Sequence, residues 1–212
     1  MDIEHLNHAL FFWINNALKS PLGDVLLGYT THLGNGMVVF PAALLWLYIA
    51  DRNAFVRNVF ALALTGLICG VLLTGAKAFF NAPRPLAVFQ DAIQQGAVVV
   101  NVMFEPLYEK SFPSGHSQTA FTVAHALVVL ISKSRQLSML VKSSVYGLAV
   151  LTSLSRVYVG AHFPLDVVAG AVLGAASAHV ALLSIEAVTR YIATRKLVQP
   201  ETQATRTPDV KN

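Results

Sequence analysis

Cysteine occurs once in this chain, at Cys69 inside an apolar run. No intrachain disulfide can form, and the residue reads as a small buried hydrophobe. Charge is scarce as well: 12% of the 212 residues are Asp, Glu, Lys or Arg, against about a quarter in an ordinary soluble domain. With 55% hydrophobic residues and a mean hydropathy of +0.57, that scarcity excludes a soluble domain and points to one polytopic membrane domain. The net charge of +4 comes from basic residues scattered over loops rather than gathered in a patch, so nucleic acid is not an expected partner. The chain opens with Asp2 and Glu4 where a cleavable signal needs basic residues, so none is expected. No internal repeat is found. His5, His8 and His32 lack metal-ligand spacing with acids or cysteines, and no metal is assigned.

What is present is a succession of apolar runs. Residues 2–19 carry Ile3, Leu6, Leu10, Ile14 and Ala17 at helical spacing, opposite Asp2, Glu4, Asn7, His8 and Asn15. That pattern predicts an amphipathic helix lying in the membrane interface, too short in continuous apolar length to span. Residues 21–35 continue a weaker helical pattern and break at Gly34-Asn35-Gly36. Five spanning segments are then expected, over residues 37–50, 59–78, 117–132, 137–154 and 164–185. Gly66, Gly70 and Gly75 in the second, and Gly170 and Gly174 in the fifth, predict close helix approaches. The long connection 79–112 contains a strand-like apolar patch at 98–104. Residues 1–198 are expected to form one membrane-embedded domain, and the polar, Thr-rich residues 199–212 a disordered cytoplasmic tail. The expected fold class is all-α: a polytopic membrane helix bundle of about five spanning helices plus an N-terminal interfacial helix.

Five crossings sort the basic residues by face. Arg52, Arg57, Lys133, Arg135, Lys142, Arg190, Arg195, Lys196, Arg206 and Lys211 fall on one side. Lys19, Lys77, Arg84, Lys110 and Arg156 fall on the other. The positive-inside rule makes the first side cytoplasmic, with the C-terminus, and turns the second outward.

Three motifs lie on that outward side. Lys77 and Arg84 occur in Lys77-Ala-Phe-Phe-Asn-Ala-Pro-Arg84-Pro85. Taken alone, they read as basic side chains snorkelling to the interface. Ser111-Phe-Pro113-Ser114-Gly115-His116 leads into the third segment, with Ser114 as N-cap and free N–H groups suited to an anion. Taken alone, it is a capped helix start with an incidental histidine. The third stretch, from Ser155 to Asp166, places Arg156, His162 and Asp166 within twelve residues between apolar runs. An ion pair at a loop would account for it, but ionisable groups at membrane depth are costly and functional by default. His162 and Asp166 are four apart, which would put them on one face of a helix's first turn. The carboxylate could hold the imidazole in one tautomer and leave the other nitrogen free to attack. Cations, helix N-termini, two histidines and a carboxylate together suit phosphoryl transfer without a metal. One histidine must then be neutral and the other protonated, although Asp166 beside His162 favours its cation.

The ordered set Lys-x6-Arg-Pro, Pro-Ser-Gly-His and Ser-Arg-x5-His-x3-Asp resembles the three-part signature of the type 2 phosphatidic acid phosphatase superfamily. It runs from Lys77 to Asp166 without a departure, and the segment spacing around it resembles the family's small bacterial membrane lipid phosphatases. Soluble bacterial acid phosphatases and vanadium haloperoxidases share the signature, but the hydrophobicity here speaks against a soluble chain. The resemblance implies that His162 is the nucleophile, forming a phosphohistidine, with Asp166 orienting it. It implies His116 as general acid and then base, Lys77, Arg84 and Arg156 as a clamp on the phosphate oxygens, and Ser114 and Gly115 completing the cradle. No cofactor is implied. The partner would be a lipid phosphate or diphosphate entering from the bilayer, of the phosphatidylglycerol phosphate, phosphatidic acid, undecaprenyl diphosphate or lipid A phosphate class. A lipid phosphotransferase would use the same site. A transporter or structural membrane protein is the alternative from another class, and clustering of the polar residues at one surface argues against it. Oligomeric state has no signature in the sequence. His125 and His179 are expected to be satisfied by a backbone carbonyl or a neighbouring helix, Glu105 to Lys110 to form a solvated loop, and Asn81 and Gln118 to sit beside the motif residues.

Overall fold

The computed structural model describes residues 2–198, with side chains described through Arg195; the expected tail at 199–212 lies outside them. Helices account for the regular structure among these residues: α1 (Ile3–Phe12), α2 (Pro21–Thr30), α3 (Gly36–Ala50), α4 (Phe55–Phe80), α5 (Pro85–Val88), α6 (Gln90–Gln94), α7 (Gly115–Ser132), α8 (Met139–Tyr158) and α9 (Pro164–Val198). A π-helical turn, Trp13–Ala17, follows α1, and a 3-10 turn, Thr31–Gly34, links α2 to α3.

Local chemistry sets the boundaries. Ser20 caps α2 by accepting the Gly23 N–H at 3.1 Å, with Pro21 in the first helical position. Asn35 caps α3 through the Met37 N–H at 2.9 Å, so the Gly-Asn-Gly break is a true helix restart with a 75° bend. Asn81, with φ of 41°, closes α4 in the left-handed conformation, its N–H bonded to the Lys77 carbonyl at 3.1 Å.

Packing centres on α7, which touches α9, α8, α4 and α3. In lipid, burial of apolar surface does not by itself drive helices together, so close packing and interhelical hydrogen bonds carry the association. Both are present. A Cβ at Gly170 would run into the Ser114 carbonyl oxygen, and one at Gly174 into that of Gln118, so these glycines let α9 lie against α7. Ser117 Oγ donates to the Val167 carbonyl at 2.6 Å and Gln118 Nε2 to the Cys69 carbonyl at 2.9 Å, tying α7 to α9 and α4. Gln118 therefore serves helix packing. Gly70 and Gly75, expected to be close contacts, have open space around them.

Several expectations are revised. Helix α8 continues to Tyr158, so Ser155 and Arg156 are its last turn and not a connecting loop. The patch at 98–104 forms no strand; Asn16 Nδ2 holds the Val99 carbonyl and the Asn15 side chain holds Asn101. Asn15, assigned to the polar face of the N-terminal helix, is fully buried, because its amide bridges Asn101 and the Tyr158 carbonyl. That helix packs onto the bundle through Phe11 and Ile14, against Val157, Tyr158 and Phe163. By length and composition, two stretches of the described residues can cross a membrane, Phe55–Gln94 and Pro164–Arg195, and a third crossing results if the bent pair Pro21–Gly34 and Gly36–Ala50 counts as one. Helices α7 and α8 carry the Ser, Thr, Gln and His side chains that join the bundle, and these dilute their hydropathy.

Candidate active site

The turn between α8 and α9 sets the site. Gly160, at φ 78°, reverses the chain after α8, and the N–H groups of Ala161 and His162 return to the Arg156 carbonyl at 3.1 and 3.2 Å. His162 thus sits just before α9, and Asp166 in that helix's first turn, so the pair meets across a helix start and not along one face. The Nδ1 to Oδ2 distance is 3.4 Å. Asp166 Oδ2 also accepts the Phe163 N–H at 2.9 Å and the Ser111 hydroxyl at 2.5 Å. Ser111 Oγ lies 3.4 Å from His162 Nδ1 as well. Because the Ser111 proton is given to the carboxylate, its oxygen is left to accept. This network assigns the imidazole proton to Nδ1, leaving the Nε2 lone pair directed away from Asp166.

Opposite Nε2 stands Arg84, whose Nη1 is 3.4 Å from it and donates to the Ala161 carbonyl at 2.9 Å. Arg84 Nε donates to the Glu109 carbonyl at 2.7 Å, and Lys77 Nζ to the Lys110 carbonyl at 2.6 Å. The expected solvated loop of residues 105–110 is therefore pinned through its backbone by both cations of the first motif. Arg156 Nη1 donates to Thr31 Oγ1 at 2.7 Å. Lys77 is within electrostatic range of Arg84, Arg156 and Asp166. Loss of solvation, with the Arg156, His162 and Arg84 charges adding to it, pushes His116 down to about 3, so the expected split between one neutral and one protonated histidine is not present in the protein alone. A Cβ on Gly115 would lie 3.8 Å from Lys77 Cε. The structure thus gathers Lys77, Arg84, Ser114, Gly115, His116, Arg156, His162 and Asp166 at one end of the bundle.

Burial and charge set the protonation of His162, which is 2% exposed. Loss of solvation is the main effect, and the Arg84 and Arg156 charges add to it. Together they outweigh the hydrogen bond and charge of Asp166 and push the imidazole down to about 4. It is neutral near pH 7, which reverses the concern that Asp166 would hold it cationic.

Ser114 occupies the N-cap of α7, but its hydroxyl makes no capping bond. Ser114 Oγ and Arg156 Nε are buried and without a hydrogen-bond partner among the described residues. Unpaired buried polar groups are costly, and two of them flanking a histidine point to a ligand with acceptor oxygens. A cavity of about 420 Å³ opens beside His116 and Arg156, with Leu86, Phe104 and Leu107 on its apolar side and Glu105 and His32 also on its wall.

Sequence reasoning missed three residues here. Ser111 stands in the second motif with no role of its own, Thr31 lies in a weakly patterned stretch, and Gly34, where a Cβ would lie 2.6 Å from His116 Cβ, reads only as a helix break. Nothing in their spacing marks them, because each acts through a contact between segments distant in the chain. His125 and His179 behave as expected of groups satisfied by neighbouring helices: His125 bonds Tyr146 of α8 at 2.8 Å and His179 of α9 at 3.1 Å, away from the site.

A helical bundle that ends in a buried, cation-ringed histidine defines a phosphoryl-handling membrane protein. The family model of the PAP2 superfamily matches residues 54–190, and the chain belongs to that superfamily as a membrane lipid phosphatase. Phosphatidylglycerophosphatase B of Bacillus subtilis is 40% identical over 160 residues, 72% of this chain and 70% of its own length. The bacitracin transport permease protein BcrC of Bacillus licheniformis is 27% identical over 189 residues, 84% of this chain and 80% of its own length. The crystal structure of Aquifex aeolicus LpxE matches with a TM-score of 0.68 at 37% identity, covering 86% of this chain and 99% of that one.

Proposed function

We propose that the chain hydrolyses the terminal phosphate of a lipid phosphate or diphosphate through a phosphohistidine on His162. His162 Nε2 attacks phosphorus while the bond to the leaving oxygen breaks, and that oxygen takes a proton from His116, which holds it only once the phosphate dianion offsets the burial and the Arg156 and Arg84 charges that push it down to about 3. Water then attacks the phosphohistidine, gives its proton to His116, and releases phosphate as the P–N bond breaks. Asp166 keeps the proton on Nδ1 and balances the charge that develops on the ring. Lys77, Arg84, Arg156, the Ser114 hydroxyl and the Gly115 N–H hold the non-bridging oxygens.

The observation that carries this reading is a neutral His162 whose Nε2 faces Arg84 at 3.4 Å, beside the unpartnered Ser114 Oγ and Arg156 Nε. The name of one relative, phosphatidylglycerophosphatase B, puts phosphatidylglycerol phosphate first among the substrate classes to test. Five crossings, with the site on the outer face and the C-terminus in the cytoplasm, complete the proposal and let lipid tails stay in the bilayer.

Phosphate release by purified protein across a panel of lipid phosphates and diphosphates tests it. Release from at least one lipid, inhibition by vanadate and persistence in a metal chelator are expected. Appearance of the phosphoryl group on a second lipid instead of in solution would make the chain a phosphotransferase. Loss of all turnover in chelator would remove the scheme in which side chains alone do the work.

A further inference from the structure

At the end of the bundle away from the motifs, α4, α7 and α9 enclose a second polar cavity of about 250 Å³. Its wall carries three cations, Arg57, Lys133 and Arg190, and one carboxylate, Glu186. Glu186 pairs with Lys133 at 2.6 Å and also with Arg190, so one carboxylate is shared by two cations. Arg57 has no ion-pair partner among the described residues. The four lining groups carry three cations against one carboxylate, and Asp51, outside the lining, is close enough for the Arg57 charge to lower its carboxyl, so the surplus around the cavity is one to two positive charges.

The floor holds a second anomaly. Asn58, beside Arg57, is 1% exposed, and its amide oxygen has no hydrogen-bond partner among the described residues. Ala61 and Leu182, both buried, make the cavity apolar just below it. An amide at the floor of a basic cavity can accept from a hydroxyl, or turn and donate to an oxygen. A ligand that met all of this would carry an anionic phosphate for the cations, a polar group for Asn58, and an apolar portion for the floor.

We infer that this cavity binds the headgroup of an anionic glycerophospholipid, with the phosphodiester between Arg57 and Lys133 and a headgroup hydroxyl or ester oxygen on Asn58. Basic cavities between membrane helices suit such lipids, because the phosphate meets fixed charge while the acyl chains remain in hydrocarbon. The cavity shares no residue with the site around His162. Glu186 serves as the internal counter-ion that holds Lys133 and Arg190 in place when the lipid is absent.

The test uses full-length protein purified in neutral detergent and reconstituted in nanodiscs. The readouts are the lipid count by native mass spectrometry and the unfolding midpoint. With phosphatidylglycerol, the wild type is expected to retain one lipid more than with phosphatidylcholine and to unfold at a higher temperature. The Arg57→Gln/Lys133→Gln variant is expected to lose that lipid and at least half of the shift, while its unfolding midpoint in phosphatidylcholine stays near wild type. Asn58→Ala removes the unpaired amide, so it is expected to fold and to weaken lipid retention severalfold. Equal retention of phosphatidylglycerol by wild type and double variant would overturn the inference. Saturation by inorganic phosphate with no lipid retained would overturn the lipid assignment. None of these readouts depends on turnover, so failure here leaves the proposed hydrolysis standing, and failure of hydrolysis leaves the lipid count informative.

Discussion

Ser111 gives its hydroxyl proton to Asp166 Oδ2 at 2.5 Å, and through that bond the loop before α7 fixes the carboxylate that orients His162. A hydrogen bond to a charged group is worth about 1.5–3 kcal/mol. If it serves to hold the imidazole, Ser111→Ala should lower kcat roughly ten- to hundredfold with KM little changed. Ser111→Thr, which keeps the hydroxyl, should recover most of the loss. A shift confined to KM would place Ser111 in substrate binding instead.

The nucleophile assignment makes a sharper demand. His162→Ala should cut kcat on the order of 10⁴-fold or more, and because the side chain is buried, the unfolding midpoint is read alongside to separate lost chemistry from lost fold. Trapping of a phosphorylated protein by acid quench should disappear with it. Asp166→Asn should slow turnover by roughly 10²–10⁴-fold while lipid binding persists, because an amide no longer enforces the Nδ1 proton. A phosphoprotein still trapped in His162→Ala would move the nucleophile elsewhere.

Protonation gives an independent check. His162 is pushed down to about 4 from an ordinary value of 6.5, so it remains neutral where an exposed histidine would already be charged. The acidic limb of kcat/KM due to His162 should fall near pH 4 and not near 6.5. The unfolded chain takes up a proton below about 6.5, which folded His162 refuses until about 4, so stability should decline as pH falls through that window. Burial is the larger cause and the cations are secondary, so Arg84→Gln should raise the limb only in part while reducing activity. An acidic limb at 6.5 in the wild type would mean that the pocket is wetter than its burial implies.

The motif residues were readable from the chain because each sits at a helix boundary, where the types and order of residues carry the signal. Asn81 ends α4 and Ser114 starts α7, and both lie within a residue or two of the breaks that Pro83 and Pro113 announce. Less was readable where contacts are long-range. Asn15 reads as a polar-face residue by periodicity, yet it is buried by partners 86 and 143 residues away. Hydropathy ends α8 too early because Ser155 and Arg156 interrupt an apolar run. In the fold, the helix continues through them, and Arg156 finds Thr31 on a segment that hydropathy alone barely registers.

Gly34 shows what such a long-range contact controls. A Cβ built there would lie 2.6 Å from His116 Cβ and 2.9 Å from both its Cδ2 and its carbonyl oxygen. The carbonyl belongs to the first turn of α7, which α9 holds through the Ser117 and Gly170 contacts, so the backbone has little room to retreat. The side chain of His116 must then turn, or the Thr31–Gly34 turn must back away and take Thr31 from Arg156. Either displacement is near an ångström, and misplacement on that scale can cost about a hundredfold in rate. Gly34→Ala should therefore reduce kcat roughly ten- to hundredfold. Gly36→Ala is the control: a Cβ at Gly36 meets Phe40 at 3.5 Å, an ordinary contact, and activity should stay near wild type. If the two variants turn over alike, His116 does not need the position that Gly34 allows it, and its assignment as the proton donor loses its geometric support.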